Sequence, residues 1–98
     1  MAVEIGVLAL LEAKPDKGPD LRQFLKAGRE LAAAEEGTVT WYAFKVSETV
    51  YGIFDTFETE DDRLAHINGE IPKRLMEVGG DLLAKEPDIQ TIDIVAVK

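Results

Sequence analysis

The sequence has no cysteine among its 98 residues. Disulfides, thiolate nucleophiles and zinc–sulfur sites are excluded with it. A single histidine is present, so one chain offers at most one imidazole ligand. Basic residues are scarce: 11 Lys and Arg stand against 19 Asp and Glu, a net charge of −8. No basic stripe is visible, which argues against nucleic acid and against an anionic membrane surface as partners. The acidic excess reads as solubility through self-repulsion. No run approaches the roughly 20 apolar residues of a membrane span. The apolar stretch from Met1 to Leu11 is short, lacks a basic leading region and carries Glu4, so it does not read as a signal peptide. A cytoplasmic protein is expected.

What is present suits one folded domain over residues 1–98. The hydrophobic fraction is 46%, ordinary for a globular chain. A chain this short buries only about 60–70% of its unfolded surface, so its core is modest. The aromatic residues are unevenly spread. The stretch from Glu36 to His66 holds the only Trp, both Tyr, the only His and three of the four Phe.

Residues alternate from Ala2 to Glu12 as in a strand. Val3, Ile5, Val7, Ala9 and Leu11 share one face, with Gly6, Leu8 and Leu10 on the other. The loop Ala13–Asp20 follows, with Asp16 or Asp20 as candidate N-cap of a helix over Pro19–Glu35. Leu21, Phe24, Leu25, Gly28, Leu31 and Ala32 recur at helical spacing, and Gly37 is placed to end the helix. Strands are expected over Thr38–Val46 and Val50–Phe57, joined by a turn at Ser47–Thr49. Trp41 and Tyr42 are adjacent and must point to opposite faces. Gly52 marks a bulge or leaves room for an aromatic across the strand pair. Thr59 is a strong N-cap, followed by the acidic first turn Glu60, Asp61 and Asp62. That helix reaches Ile67, breaks at Asn68-Gly69 and resumes near Pro72. Ile71, Leu75, Val78 and Leu82 continue its apolar stripe, and Glu86-Pro87 closes it. A last strand is expected over Asp88–Lys98.

The order is β-α-β-β-α-β, a ferredoxin-like α+β arrangement. Helices can cover one face of such a four-stranded sheet, yet the strands carry apolar residues on both. At about 25 cal/mol per Å² of apolar surface, leaving the second face wet forfeits many kcal/mol. A homodimer packed sheet to sheet is therefore expected.

Glu36-Gly37-Thr38, Trp41-Tyr42, Gly52-Ile53-Phe54-Asp55-Thr56-Phe57, Ala65-His66 and Ile92-Asp93-Ile94-Val95-Ala96, in this order and spacing, resemble the antibiotic biosynthesis monooxygenase (ABM) domain. The likeness runs over nearly the whole chain and is carried by order and spacing together. It implies a dimeric α+β barrel with a pocket between helices and sheet in each protomer. It also implies oxygenation of a hydroxylated aromatic or quinol by molecular oxygen, with no metal, flavin or haem. A haem-degrading branch of the family ligates iron through a His further along the helix. Here that region is Arg74-Leu75-Met76-Glu77, so haem ligation of that kind is unsupported.

His66 borders the pocket by this resemblance and is the candidate catalytic residue. A His titrates in the range that suits deprotonating a phenol. The plainer reading is a helix His steadied by Glu60, Asp61 and Asp62. Trp41, Tyr42, Tyr51, Phe54 and Phe57 are candidate walls for a flat aromatic ligand, although strand aromatics more often fill a core. Asn68 is a candidate ligand contact, or simply a helix cap. Asp55 and Asp93 are read as partners of Lys or Arg across strands, or as groups that orient a ligand hydroxyl. Arg63 and Arg74 are read as solvent-facing. Two functions stay open: a cofactor-independent monooxygenase, and a non-catalytic dimer that binds a small molecule or serves in stress.

Overall fold

A computed structural model describes residues 3–98. The first-strand expectation at Ala2 lies outside the described residues. The elements are β1 (Ile5–Glu12), α1 (Gly18–Ala33), β2 (Thr38–Lys45), β3 (Val50–Phe57), α2 (Glu60–Ile67), α3 (Glu70–Leu82) and β4 (Asp88–Asp93). The four strands form one antiparallel sheet in the order β2-β3-β1-β4. This is the expected ferredoxin-like α+β architecture, with its second helix split in two at Asn68 and Gly69.

Register sorts the side chains. Val7 stands opposite Asp55 on one side and Thr91 on the other, and Asp55 stands opposite Trp41. These positions, with Ala9, Leu11, Tyr51, Ile53 and Phe57, belong to the face that the helices cover. Leu11, Leu21, Leu25, Tyr51, Ile53, Leu75 and Leu83 form its buried core, with Phe24 and Trp41 packed against it. The other face carries Leu8, Leu10, Tyr42, Phe44, Phe54 and Ile92, none of them fully buried. Tyr42 is 59% exposed.

Several local devices act as the sequence suggests. Thr59 accepts a hydrogen bond from the Asp62 amide and starts α2. The hairpin turn closes through Val46 N–H to Val50 O, 2.8 Å, and through Val50 N–H to Ser47 Oγ, 3.2 Å. Gly52 is a floor for an aromatic: a Cβ there would lie 2.6 Å from Phe44 Cε1.

Other expectations are corrected. Neither Asp16 nor Asp20 caps α1. Lys17 holds the N-cap position with no side-chain bond, and Asp20 falls in the first turn, where Pro19 also sits and needs no amide partner. Asp16 takes a positive φ of 71° and turns the loop. Gly37 does not end α1 in a left-handed conformation, because the helix stops at Ala33 and Ala34 is its C-cap. Its lack of a side chain instead admits Asp62, whose Cγ would lie 2.6 Å from a Cβ at that position. β4 ends at Asp93, not Lys98. Its paired ladder with β1 ends at Ile5, one further bond runs from Ile94 N–H to Glu4 O at 2.7 Å, and Val95 and Val97 beyond it are exposed.

Candidate functional site

His66 is the last-turn residue that α2 turns inward. Arg63, one turn earlier, ties the helix to the sheet by donating to Gly6 O at 3.2 Å and Ile92 O at 3.3 Å. Its side chain is only 11% exposed, so Arg63 is not solvent-facing as the sequence suggested. Arg74 is about half exposed and pairs with Glu70.

The imidazole sits between two carboxylates from two other elements. Nδ1 lies 2.7 Å from Glu35 Oε1, in the α1–β2 connection. Thr38 Oγ1 donates to the same oxygen at 2.7 Å and so holds Glu35 in place. Nε2 lies 2.9 Å from Asp55 Oδ2 on β3, but off the line of an aligned hydrogen bond. Beneath the ring is Phe57, fully buried, with ring centroids 5.3 Å apart and planes tilted by 42°. His66 and Asp55 are buried, while Glu35 keeps some exposure.

Burial acts most strongly on the His66 pKa and by itself would lower it. Asp55 and Glu35 together outweigh burial and hold the pKa above the ordinary 6.5. The expected partners Glu60, Asp61 and Asp62 are not the ones that do this. Three groups that contact through opposite ring nitrogens do not converge on a point. Among the described residues no group of three or more His, Cys, Asp or Glu side chains could hold a metal ion.

Beside this cluster is a cavity of about 690 Å³ between the sheet, α2 and α3. His66 and Asp55 lie in its wall. The rest is mostly apolar, from Val7, Ala9, Ile53, Ile71, Leu75, Leu83 and Ile89. Gly79-Gly80 lets α3 run along the cavity without filling it, and Lys85 and Glu86 stand at the exposed end.

Of the candidate ligand residues, His66 and Asp55 line this cavity. Trp41 is on the covered face but packs against α1, with its ring facing Gly28, and its Nε1 is buried without a partner. Tyr42 and Phe54 stand opposite each other on the uncovered face. Tyr51 is in the core and borders a second cleft, of about 330 Å³, with Arg22, Lys26 and Lys45. Phe57 lies under His66 and is sealed from solvent. Asn68 is the exposed C-cap of α2. The aromatics are displaced from the cavity because α1 covers the β2 side of the sheet, whereas the gap opens on the β1–β4 side.

Asp55 had a readable signal: it shares the alternation of Tyr51, Ile53 and Phe57, so its carboxylate must enter a buried layer. Its partner is His66, not a Lys or Arg across the strands, and Asp93 stays exposed. Glu35 had no such signal, since a glutamate at a helix end is commonplace.

A ferredoxin-like α+β domain with one histidine clamped beside an apolar cavity is thus the class defined by fold and site. No family model and no curated protein matches the chain. Solved structures do. The NE2512 protein of Nitrosomonas europaea, of unknown function, shares 38% identity over 98% of this chain and 93% of its own, with a TM-score of 0.95. The chain belongs to the family of that protein. A Caulobacter crescentus protein described as a "putative antibiotic biosynthesis monooxygenase" matches at 24% identity over 96% of this chain and 92% of its own, TM-score 0.79. A second protein so described, from Nitrosomonas europaea, matches at 13% identity over 97% and 93%, TM-score 0.83. These two share the fold.

Proposed function

We propose that the protein is an ABM-type monooxygenase, a single domain over residues 1–98, that oxidises a hydroxylated aromatic or quinol in the cavity beside His66. The observation that carries this reading is the apolar cavity of about 690 Å³ with one ionisable cluster in its wall. A flat apolar ring fits such walls, and a ring hydroxyl finds its polar partner in the Asp55–His66 pair. Loss of the hydroxyl proton toward that pair leaves an electron-rich ring able to react with triplet oxygen. For a ring methylene beside the phenol, one oxygen atom becomes a carbonyl and the other leaves as water with the two methylene hydrogens. The substrate supplies all four electrons that reduce the two oxygen atoms, so the reading requires no cofactor.

The test is oxygen uptake with a panel of hydroquinones and anthrone-like phenols. Uptake above a heat-killed control is expected, and His66→Ala is expected to lower it by about 100-fold, within the range for a lost general base. No uptake with any of the panel defeats the reading.

One observation favours a second reading, a binding protein without catalysis. Both His66 nitrogens are engaged and its pKa is raised, which suits a charged structural group better than a base. Saturable binding of the same compounds with no uptake selects this reading. Under both readings we propose a homodimer through the uncovered sheet face, whose Tyr42, Phe44 and Phe54 side chains are left wet in the single chain. Light scattering giving a monomer mass at micromolar concentration overturns it.

A further inference from the structure

We propose that Asp55 is the specificity-determining residue of the cavity. Its carboxylate takes the hydrogen of a neutral hydroxyl on an otherwise apolar ring ligand and turns away ligands with a carboxylate in that place. This rests on the reading that the cavity holds the ligand, and it assigns the selection to a residue other than His66.

Three observations carry it. Asp55 is 1% exposed, lies in the cavity wall, and has neither oxygen in an aligned hydrogen bond among the described residues. A carboxylate left so in a buried layer carries a desolvation cost that a donor would relieve. Its contact with His66, 2.9 Å from Nε2, is to Oδ2 alone. Oδ1 has no partner among the described residues, and a ligand hydroxyl is a donor for it.

The charge balance supplies the selectivity. Glu35 and Asp55 flank one His66, so the cluster is negative whether the ring is neutral or protonated. Of the described residues lining the cavity, the one Lys or Arg is Lys85, whose side chain is 68% exposed and 3.9 Å from Glu12. His66 is already shared by the two carboxylates, so an incoming anion at the closed end is left unbalanced, and like charges brought together in a buried site are costly.

The experiment is calorimetric binding, without oxygen, of 2-naphthol, 2-methoxynaphthalene and 2-naphthoate to the full chain at neutral pH. Wild type is expected to bind the naphthol at least about tenfold more tightly than either of the others. Asp55→Asn keeps the size and an acceptor oxygen but removes the charge. It is expected to bring 2-naphthoate to within about threefold of the naphthol, through a gain in naphthoate affinity. A merely structural role would weaken all three alike.

Equal wild-type binding of naphthol and naphthoate, or of naphthol and its methyl ether, overturns the assignment. So does an Asp55→Asn variant with an unchanged ranking. Should that variant not fold, the wild-type ranking alone decides. No binding of any probe at millimolar concentration overturns both the assignment and the cavity reading. The expected ranking without oxygen uptake defeats oxygenation and leaves Asp55 in its role. Uptake with a flat ranking does the reverse.

Discussion

The two faces of the sheet are built from the same strands, yet they do different things. The covered face is packed on the β2 side by α1, and on the β1–β4 side it is bridged by α2 and α3 with a gap left between. The uncovered face is a band of half-buried apolar side chains that no helix of the described residues covers. Hydrophobicity does not distinguish them, since Leu8 and Leu10 on one are as apolar as Val7 and Leu11 on the other. The distinguishing features are the buried ionisable cluster and the helices that seal it. The candidate site lies where covering elements meet imperfectly around a polar group, and the face proposed as an interface is the one that no described helix covers.

Substitutions that separate the faces test this contrast. The largest effect is expected for Phe57→Ala, beneath His66, at about 3–5 kcal/mol of stability in denaturant unfolding. Phe54→Ala, three positions earlier on the uncovered face, should cost clearly less in dilute single chains. An equal loss in both would show that the uncovered face is as well packed as the covered one. His66→Ala leaves Asp55 buried without its cation and should cost roughly 3 kcal/mol.

A pH effect of smaller size comes from the same cluster. The folded pKa of His66 lies above its unfolded value of 6.5, so the folded state binds more protons between the two. The stabilisation is full below pH 6.5 and is lost as the pH rises through the folded pKa. Unfolding titrations at stepwise pH should show this decline in wild type and not in His66→Ala. A stability that rises with pH across that window would contradict the ion-pair geometry. Smallest is the local effect of Thr59→Ala at the start of α2, about 1 kcal/mol from the lost cap. On the uncovered face, Tyr42→Asp should leave single-chain unfolding nearly unchanged while shifting the scattering mass toward a monomer.

Much of the fold was legible because its signals are local. Strand alternation placed Trp41 and Tyr42 on opposite faces, the helical stripe of α1 showed its buried side, and Thr59 marked the start of α2. The misreadings came where local signals compete. Gly37 resembles a helix terminator, but α1 had already ended, and the glycine serves a close approach by Asp62. The valines of residues 94–98 read as strand, but the paired ladder with β1 ends at Ile5 and Asp93, followed by one bond from Ile94 N–H to Glu4 O.

The candidate site was legible only in part. His66 could be singled out as the one histidine on a helix after an aromatic hairpin. Its partners could not, because they come from different elements: Glu35 lies 31 residues away in sequence, and Asp55 reaches the ring only through the register of β3 beneath α2. By itself the sequence determined which residues alternate, which form helical stripes and that both sheet faces are apolar, since these follow from chain geometry over a few residues. The tertiary structure alone decided that the cavity opens between α3 and the β1–β4 side of the sheet, away from the aromatic walls of the hairpin. That depends on where three helices come to rest on one sheet, a matter of packing over the whole chain.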